Sequence, residues 1–306
     1  MTITEAIKNR PLTLDGSMST PLEALGAKTN NPLWTAQALI DHEDLIYQVH
    51  MDYLQAGADI ITTNTYQANV QAFVKEGYSE KEALELIKKA VRIAKKARDD
   101  YEKISGRHAY VAGSIGPYGA YLADGSEYTG NYTRAPYELQ AFHNPRLQAI
   151  MAEGVDCLAI ETQPKLGEVL ALLAELQHSY PKIPVFVSFS LKDSQTISDG
   201  TALSFSVEEV DRYQQVFAIG VNCTNLEVVP DAIRVLKYSS QEPIVVYPNS
   251  GAQYDPETKT WTTQAGALDF HSEFPKWYQA GARLIGGCCT TMPANIAEIA
   301  NFLAKK

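Results

Sequence analysis

LTLDGSMST, residues 12–20, runs from a short apolar stretch into a turn of small residues. In an open, doubly wound α/β sheet, such a first turn carries a phosphate-binding fingerprint. This turn matches neither GxGxxG nor GxxxxGK(S/T). Working outward, the stretch extends to a candidate strand over 12–15, and similar short, β-branched runs recur at 59–62, 110–114, 157–161, 185–189, 218–222, 244–247 and 283–286. Continuous apolar runs of this length suit strands covered on both faces. Amphipathic helical patterns lie between them at 79–101, 136–154, 166–178 and 228–238, and a last helix starts near Pro293. Glycine precedes several strands, in AGAD at 56–59, EGVD at 153–156 and AGAR at 280–283, as a left-handed helix cap requires. Eight strands alternating with helices predict an α/β fold, a single (β/α)8 TIM barrel, rather than an open sheet.

No internal repeat, low-complexity tract or Pro/Gly/Ser-rich linker divides the 306 residues, so one domain over 1–306 is expected. The 26 basic and 36 acidic residues give a formal charge of −10 without a long Lys/Arg run, which argues against nucleic-acid or anionic-membrane partners. No segment approaches the roughly 20 apolar residues of a membrane span. MTITEAIKNR lacks the apolar core of a signal peptide, so a cytoplasmic location is expected. Four cysteines, two of them adjacent, are too few for a disulfide framework and read better as metal ligands or catalytic thiols.

A barrel carries its chemistry at the C-terminal ends of its strands. Those ends hold Asp15, Thr63–65 with Asn64 between, Ser114, Gly116, Glu161, Thr162, Ser188, Ser190, Asn222, Cys223, Asn249, Ser250, Cys288 and Cys289. Cys223 follows the sixth strand, and Cys288 and Cys289 follow the eighth. Three thiolates at one mouth form a reasonable zinc set with a fourth position left open. Two adjacent cysteines cannot both face inward from a regular strand, a constraint that a turn beginning at Gly286-Gly287 would relieve. The plainer alternative is three unconnected small residues at strand ends. Cys157 begins a strand and is expected in the core, and the six histidines form no HExxH and read as surface or packing residues. Asp15 and Glu161 place two carboxylates beside that metal and suggest a ligand with an ammonium group, although each acid alone also fits a turn or a surface ion pair. Backbone N–H groups of the 16–19 turn, including those of Ser17 and Met18, are candidates for the ligand's carboxylate. An amino acid with a thiol satisfies all three features.

LDGSMST at 14–20, ETQP at 161–164, GVNCTN at 220–225, YPNSG at 247–251 and GGCCTT at 286–291 together resemble the homocysteine S-methyltransferase family. They occur in the family's order and span nearly the whole chain. Ser17 and Ser19 depart from the Ala and Gly or Ala frequent there, but remain small. GSIGPYGAYLADGSEYTGNY at 113–132 and VVYPNSGAQYD at 245–255 are closer to the branch using S-methylmethionine, and often S-adenosylmethionine. The resemblance implies Zn2+ on Cys223, Cys288 and Cys289, with L-homocysteine held near Asp15 and Glu161. Ser17, Met18 and Asn222 complete the expected substrate-binding set. It further implies that the only catalytic nucleophile is the substrate's own zinc-activated thiolate, with methionine as product. Tyr66, Tyr118, Tyr121, Tyr128 and Tyr132 are candidates for holding a sulfonium, or else a packing lid. Three other readings remain: a betaine-dependent relative, a zinc hydrolase using Glu161 as base, and a non-catalytic metal-binding or redox protein.

Overall fold

Residues whose two faces both find apolar cover become central strands, and here they close on themselves. The strands are β1 (Leu12–Thr13), β2 (Ile60–Thr62), β3 (Tyr110–Ile115), β4 (Cys157–Gln163), β5 (Val185–Phe189), β6 (Val216–Asn222), β7 (Ile244–Tyr247) and β8 (Ala282–Ile285). In this computed structural model, which describes residues 1–255, 260–263 and 269–306, the strands pair in parallel in the order β1-β8-β7-β6-β5-β4-β3-β2. A parallel bridge between Leu14 and Ile60 joins the two ends of that order. The Asp59 amide donates to the Thr13 carbonyl at 2.8 Å and the Asp15 amide to that of Ile60 at 3.0 Å. The expected barrel is therefore present.

Each strand is followed by a covering helix: α1 (Glu43–Gln55), α2 (Glu80–Ser105), α3 (Pro136–Glu153), α4 (Leu166–Ser179), α5 (Leu203–Val210), α6 (Val229–Ser239), α7 (Phe270–Ala280) and α8 (Pro293–Leu303). Side-chain alternation divides the core into two shells. Outward residues such as Val111, Leu158, Val187, Val221 and Ile285 pack against the helices. Inward residues such as Leu14, Ala112, Ala159, Phe186, Val245 and Leu284 fill the barrel, and Cys157 lies fully buried among them, as its sequence position suggests. Gly220 on β6 has no room for a side chain, because a Cβ there would sit 1.7 Å from the Val245 carbonyl oxygen.

An N-terminal helix, Ile3–Asn9, closes the bottom of the barrel, with Ile3, Ala6 and Ile7 against Leu12, Ile60 and Tyr110. Arg10 pins the entry to β1 through a bidentate pair with Asp59 at 2.7 and 2.9 Å. With the bottom plugged, the rim at the C-terminal strand ends is the face left for ligands.

Several elements differ from the sequence reading. Strands β4 and β6 run longer than expected. Helix α2 starts one residue later, because Ser79 is its N-cap in a capping box with Glu82, and extends to Ser105 before Gly106 ends it at φ 70°. The N-terminal helix, α1, α5 and α7 were not among the expected helices; α7 contains Pro275, which interrupts a helical pattern read along the sequence. Two antiparallel hairpins, Leu191–Asp193 with Thr196–Ile197 and Ala252–Asp255 with Thr260–Thr263, extend the loops after β5 and β7.

Candidate functional site

The rim surrounds a cavity whose wall includes Asp15, Ser17, Met18, Glu161, Cys223, Cys288 and Cys289. Cys223 follows β6 at φ 49°, a left-handed conformation that turns the chain away from the strand. Cys288 and Cys289 lie beyond β8, after Gly286-Gly287, so neither is held to strand alternation. The Cys223 and Cys289 sulfurs are 3.4 Å apart and those of Cys288 and Cys289 4.0 Å apart. All three Sγ atoms lie within 4.8 Å of one another, and the group is able to hold a metal ion. The turn expected at the glycine pair lies further on: the Gly286, Gly287 and Cys288 amides still donate to the Val246, Asp15 and Pro248 carbonyls, and the chain turns at Cys288–Thr291, where the Thr291 amide donates to the Cys288 carbonyl at 3.2 Å and Thr290 has φ 64°.

Electrostatics agrees with a cation at that point. Hydrogen bonds from Cys288 and Cys289, and from the Tyr128 hydroxyl at 3.2 Å, pull the Cys223 thiol below its usual pKa. Cys288 and Cys289 are pushed up, chiefly by their hydrogen bonds with Cys223 and by burial. The cluster on its own favours one thiolate, and three require a compensating positive charge.

The two acids are fixed from different strands. Asp15 accepts from the Thr62 amide at 2.7 Å and the Thr62 hydroxyl at 3.0 Å, yet burial still pushes its pKa well up. Glu161 accepts from the Ser114 hydroxyl and, at 3.1 Å, from the Tyr247 hydroxyl, which in turn pairs with Ser188 at 2.5 Å. Burial raises the Glu161 pKa to about 7, and Glu161 in turn raises that of Asp15. Both carboxylates line one cavity, and burial is the chief cause that disfavours the charged form of each.

The remaining expected residues divide. The Ser17 amide is engaged with the Thr291 hydroxyl at 3.1 Å, while Met18 is half-buried on the cavity wall. Asn222 is fully buried behind the wall. Its side-chain oxygen accepts from the Thr162 amide at 2.8 Å, and its nitrogen donates to the Thr162 hydroxyl at 2.7 Å and approaches the Cys288 sulfur at 3.9 Å. Of the five tyrosines, Tyr66 and Tyr128 line the cavity. Tyr118 and Tyr121 pack on Phe142 with ring centres 4.9 and 5.3 Å away, and the Tyr132 hydroxyl donates to Glu168. These three form the packing behind the loop.

Sequence reasoning missed Trp34, Glu127 and Tyr247. Tyr247 had a usable signal, because it shares its face of β7 with the inward Val245. Trp34 and Glu127 arrive on long loops, where position relative to a strand end says nothing. Backbone strain marks the same place. Among the described residues, the non-glycine residues with positive φ are Trp34, Ala123, Thr162, Cys223 and Thr290. Four of these line the cavity and the fifth follows Cys289. Strain concentrated this way is a mark of a functional site.

The sequence profile of homocysteine S-methyltransferase matches residues 12–303. The chain belongs to the homocysteine S-methyltransferase family. It is thus a methyltransferase. It is 47% identical over 294 residues to homocysteine S-methyltransferase YbgG of Bacillus subtilis, covering 94% of this chain and 93% of that one. It is 39% identical to a selenocysteine Se-methyltransferase of Brassica oleracea, covering 96% of this chain and 89% of that protein. The metallated form of the homocysteine methyltransferase MmuM from Escherichia coli superposes with a TM-score of 0.88 at 42% identity, over 98% of this chain and 99% of that one. The motifs that suggested the family from sequence are the turns and strand ends that form this cavity. No helix among the described residues is long and apolar enough to cross a membrane.

Proposed function

We propose that the protein transfers a methyl group from a sulfonium donor, S-methylmethionine or S-adenosylmethionine, to the sulfur of L-homocysteine, at a zinc site formed by Cys223, Cys288 and Cys289. The observation that carries this reading is the convergence of three sulfurs and two buried carboxylates on one cavity. The sulfur separations of 3.4 and 4.0 Å suit tetrahedral zinc, whose ~2.3 Å bonds to sulfur set neighbouring ligands just under ~4 Å apart. Zinc, when bound, supplies Lewis acidity that lowers the pKa of the homocysteine thiol and offers it a fourth position.

The protein's own groups do the positioning. Asp15 and Glu161 hold the ammonium of homocysteine, whose positive charge offsets the burial of theirs. Tyr128 and Asn222 orient the Cys223 and Cys288 sulfurs through the contacts described. Tyr66 and Trp34, set edge to face at 6.1 Å, offer aromatic faces to a sulfonium. During transfer a bond forms between the acceptor sulfur and the methyl carbon, the bond from that carbon to the sulfonium breaks, and its electron pair stays on the departing thioether. The leaving group is neutral, so no general acid is needed. The resemblance to a selenocysteine Se-methyltransferase fits a site built for a soft nucleophile.

A donor panel tests the reading. Zinc-loaded protein with homocysteine is expected to form methionine from S-methylmethionine or S-adenosylmethionine, but not from betaine or methyltetrahydrofolate. Methionine from betaine and from neither sulfonium would overturn the donor assignment and leave the metal site standing.

A further inference from the structure

Beside Asp15 and Glu161 the cavity wall carries two more acids, of which Glu23 is exposed and already accepts from the Thr29 hydroxyl, which leaves Glu127. Glu127 sits in the short turn Ser126–Tyr128 and lines the same space. Its Oε2 is enclosed and has no hydrogen-bond partner, and among the described residues it makes no ion pair. The turn is built to hold it. Its carbonyl accepts from the Ser190 hydroxyl at 2.8 Å, and the next residue, Tyr128, contacts the Cys223 sulfur. Gly119 passes so close that a Cβ there would lie 2.7 Å from the Glu127 amide nitrogen. Burial pushes the Glu127 pKa up to about 7. A carboxylate at a cavity wall whose enclosed oxygen has no partner is satisfied, once the side chain turns toward the cavity, by an N–H donor carrying positive charge.

Two cations enter with an amino-acid sulfonium, the sulfonium and the α-ammonium. The sulfonium has no N–H to donate, and its charge disappears as the methyl moves. A carboxylate set against it would favour the ground state over the transition state and slow transfer. The α-ammonium keeps both its charge and its hydrogens throughout. We propose that Glu127 receives the α-ammonium of the methyl donor and so selects amino-acid sulfoniums over donors that lack an amino group. This rests on the sulfonium-to-homocysteine reading of the site, in which Asp15 and Glu161 serve the other amino acid.

The test compares zinc-loaded wild type, Glu127→Gln and Glu127→Asp with S-methylmethionine and with its desamino analogue. Glu127→Gln is expected to raise the KM for S-methylmethionine by about ten- to a hundredfold, the worth of a charge-assisted hydrogen bond. The KM for homocysteine should stay within about twofold, which also reports an intact site. For the desamino analogue, wild type and variant should be alike. Calorimetric binding of S-methylmethionine to homocysteine-free protein should show the same loss, and Glu127→Asp should recover part of it. An unmoved donor KM in a variant with normal homocysteine kinetics would overturn the proposal, as would an equal loss with the desamino analogue or a rise in homocysteine KM alone. Absence of methionine from any sulfonium with the wild type defeats the methyl-transfer reading, and this proposal with it.

Discussion

Asp15 and Glu161 enter the cavity from β1 and β4, each with hydrogen bonds to its carboxylate and each with its pKa raised by burial. In the proposed reaction this pair holds the ammonium of homocysteine. Replacing either by its amide, Asp15→Asn or Glu161→Gln, should raise the KM for homocysteine by about one to two decades, from a loss of about 1.5–3 kcal/mol. Metal content should not change, and unchanged KM in both variants would assign the acids another purpose. Cys223→Ser, Cys288→Ser and Cys289→Ser should each lose zinc on metal analysis, while Cys157→Ser, buried inside the barrel, should keep it. Full zinc retention in any two of the first three would contradict the ligand set. These residues were legible in the sequence because each lies within a few positions of a strand end. Glu127 and Trp34 were not, because the loops carrying them fold back over the rim from outside the strand pattern.

Helix α1 carries a different kind of burial. His50 is fully enclosed, and neither ring nitrogen finds a hydrogen-bond partner. Desolvation lowers its pKa from 6.5 to about 4. The unfolded chain therefore binds a proton between those values that the folded chain does not. His50 costs no stability of this kind above pH 6.5, and stability falls as the pH drops toward 4, by about 3 kcal/mol in all. His50→Leu should flatten that part of the acid limb in denaturant titrations run across this range. Equal pH dependence in the two proteins would mean that the imidazole finds a proton partner in solution. A long apolar face made a helix readable more than its cap did, since the N-terminal helix was missed despite the capping box of Thr2 with Glu5. Ser79 with Glu82 opens α2 and Gly106 closes it, whereas α7 hides behind Pro275 and α1 places His50 and Tyr53 on its apolar face.

At the scale of the molecule, the barrel keeps stability and chemistry at opposite ends. Ile7 of the N-terminal helix packs into the bottom, across the inner core from the cysteines at the rim. Ile7→Ala should cost about 2–5 kcal/mol in unfolding free energy. The KM values for both substrates should stay as they are, and a changed KM in a protein of undiminished stability would argue against this separation. The alternation of strands and helices made the barrel readable, since runs buried on both faces leave little choice of architecture. The hairpin after β5 was not, because its strands are only three and two residues long and put just Ile197 and half-buried Leu191 against the core. The central claim is that a methyl group passes from a sulfonium to homocysteine at the three-cysteine site. Homocysteine bearing heavy carbon, incubated with zinc-loaded protein and unlabelled S-methylmethionine, tests it most directly by mass spectrometry, since both products are methionine. Heavy and light methionine should appear one for one, with none from Cys288→Ser. Consumption of the donor with the heavy homocysteine left unmethylated would contradict it.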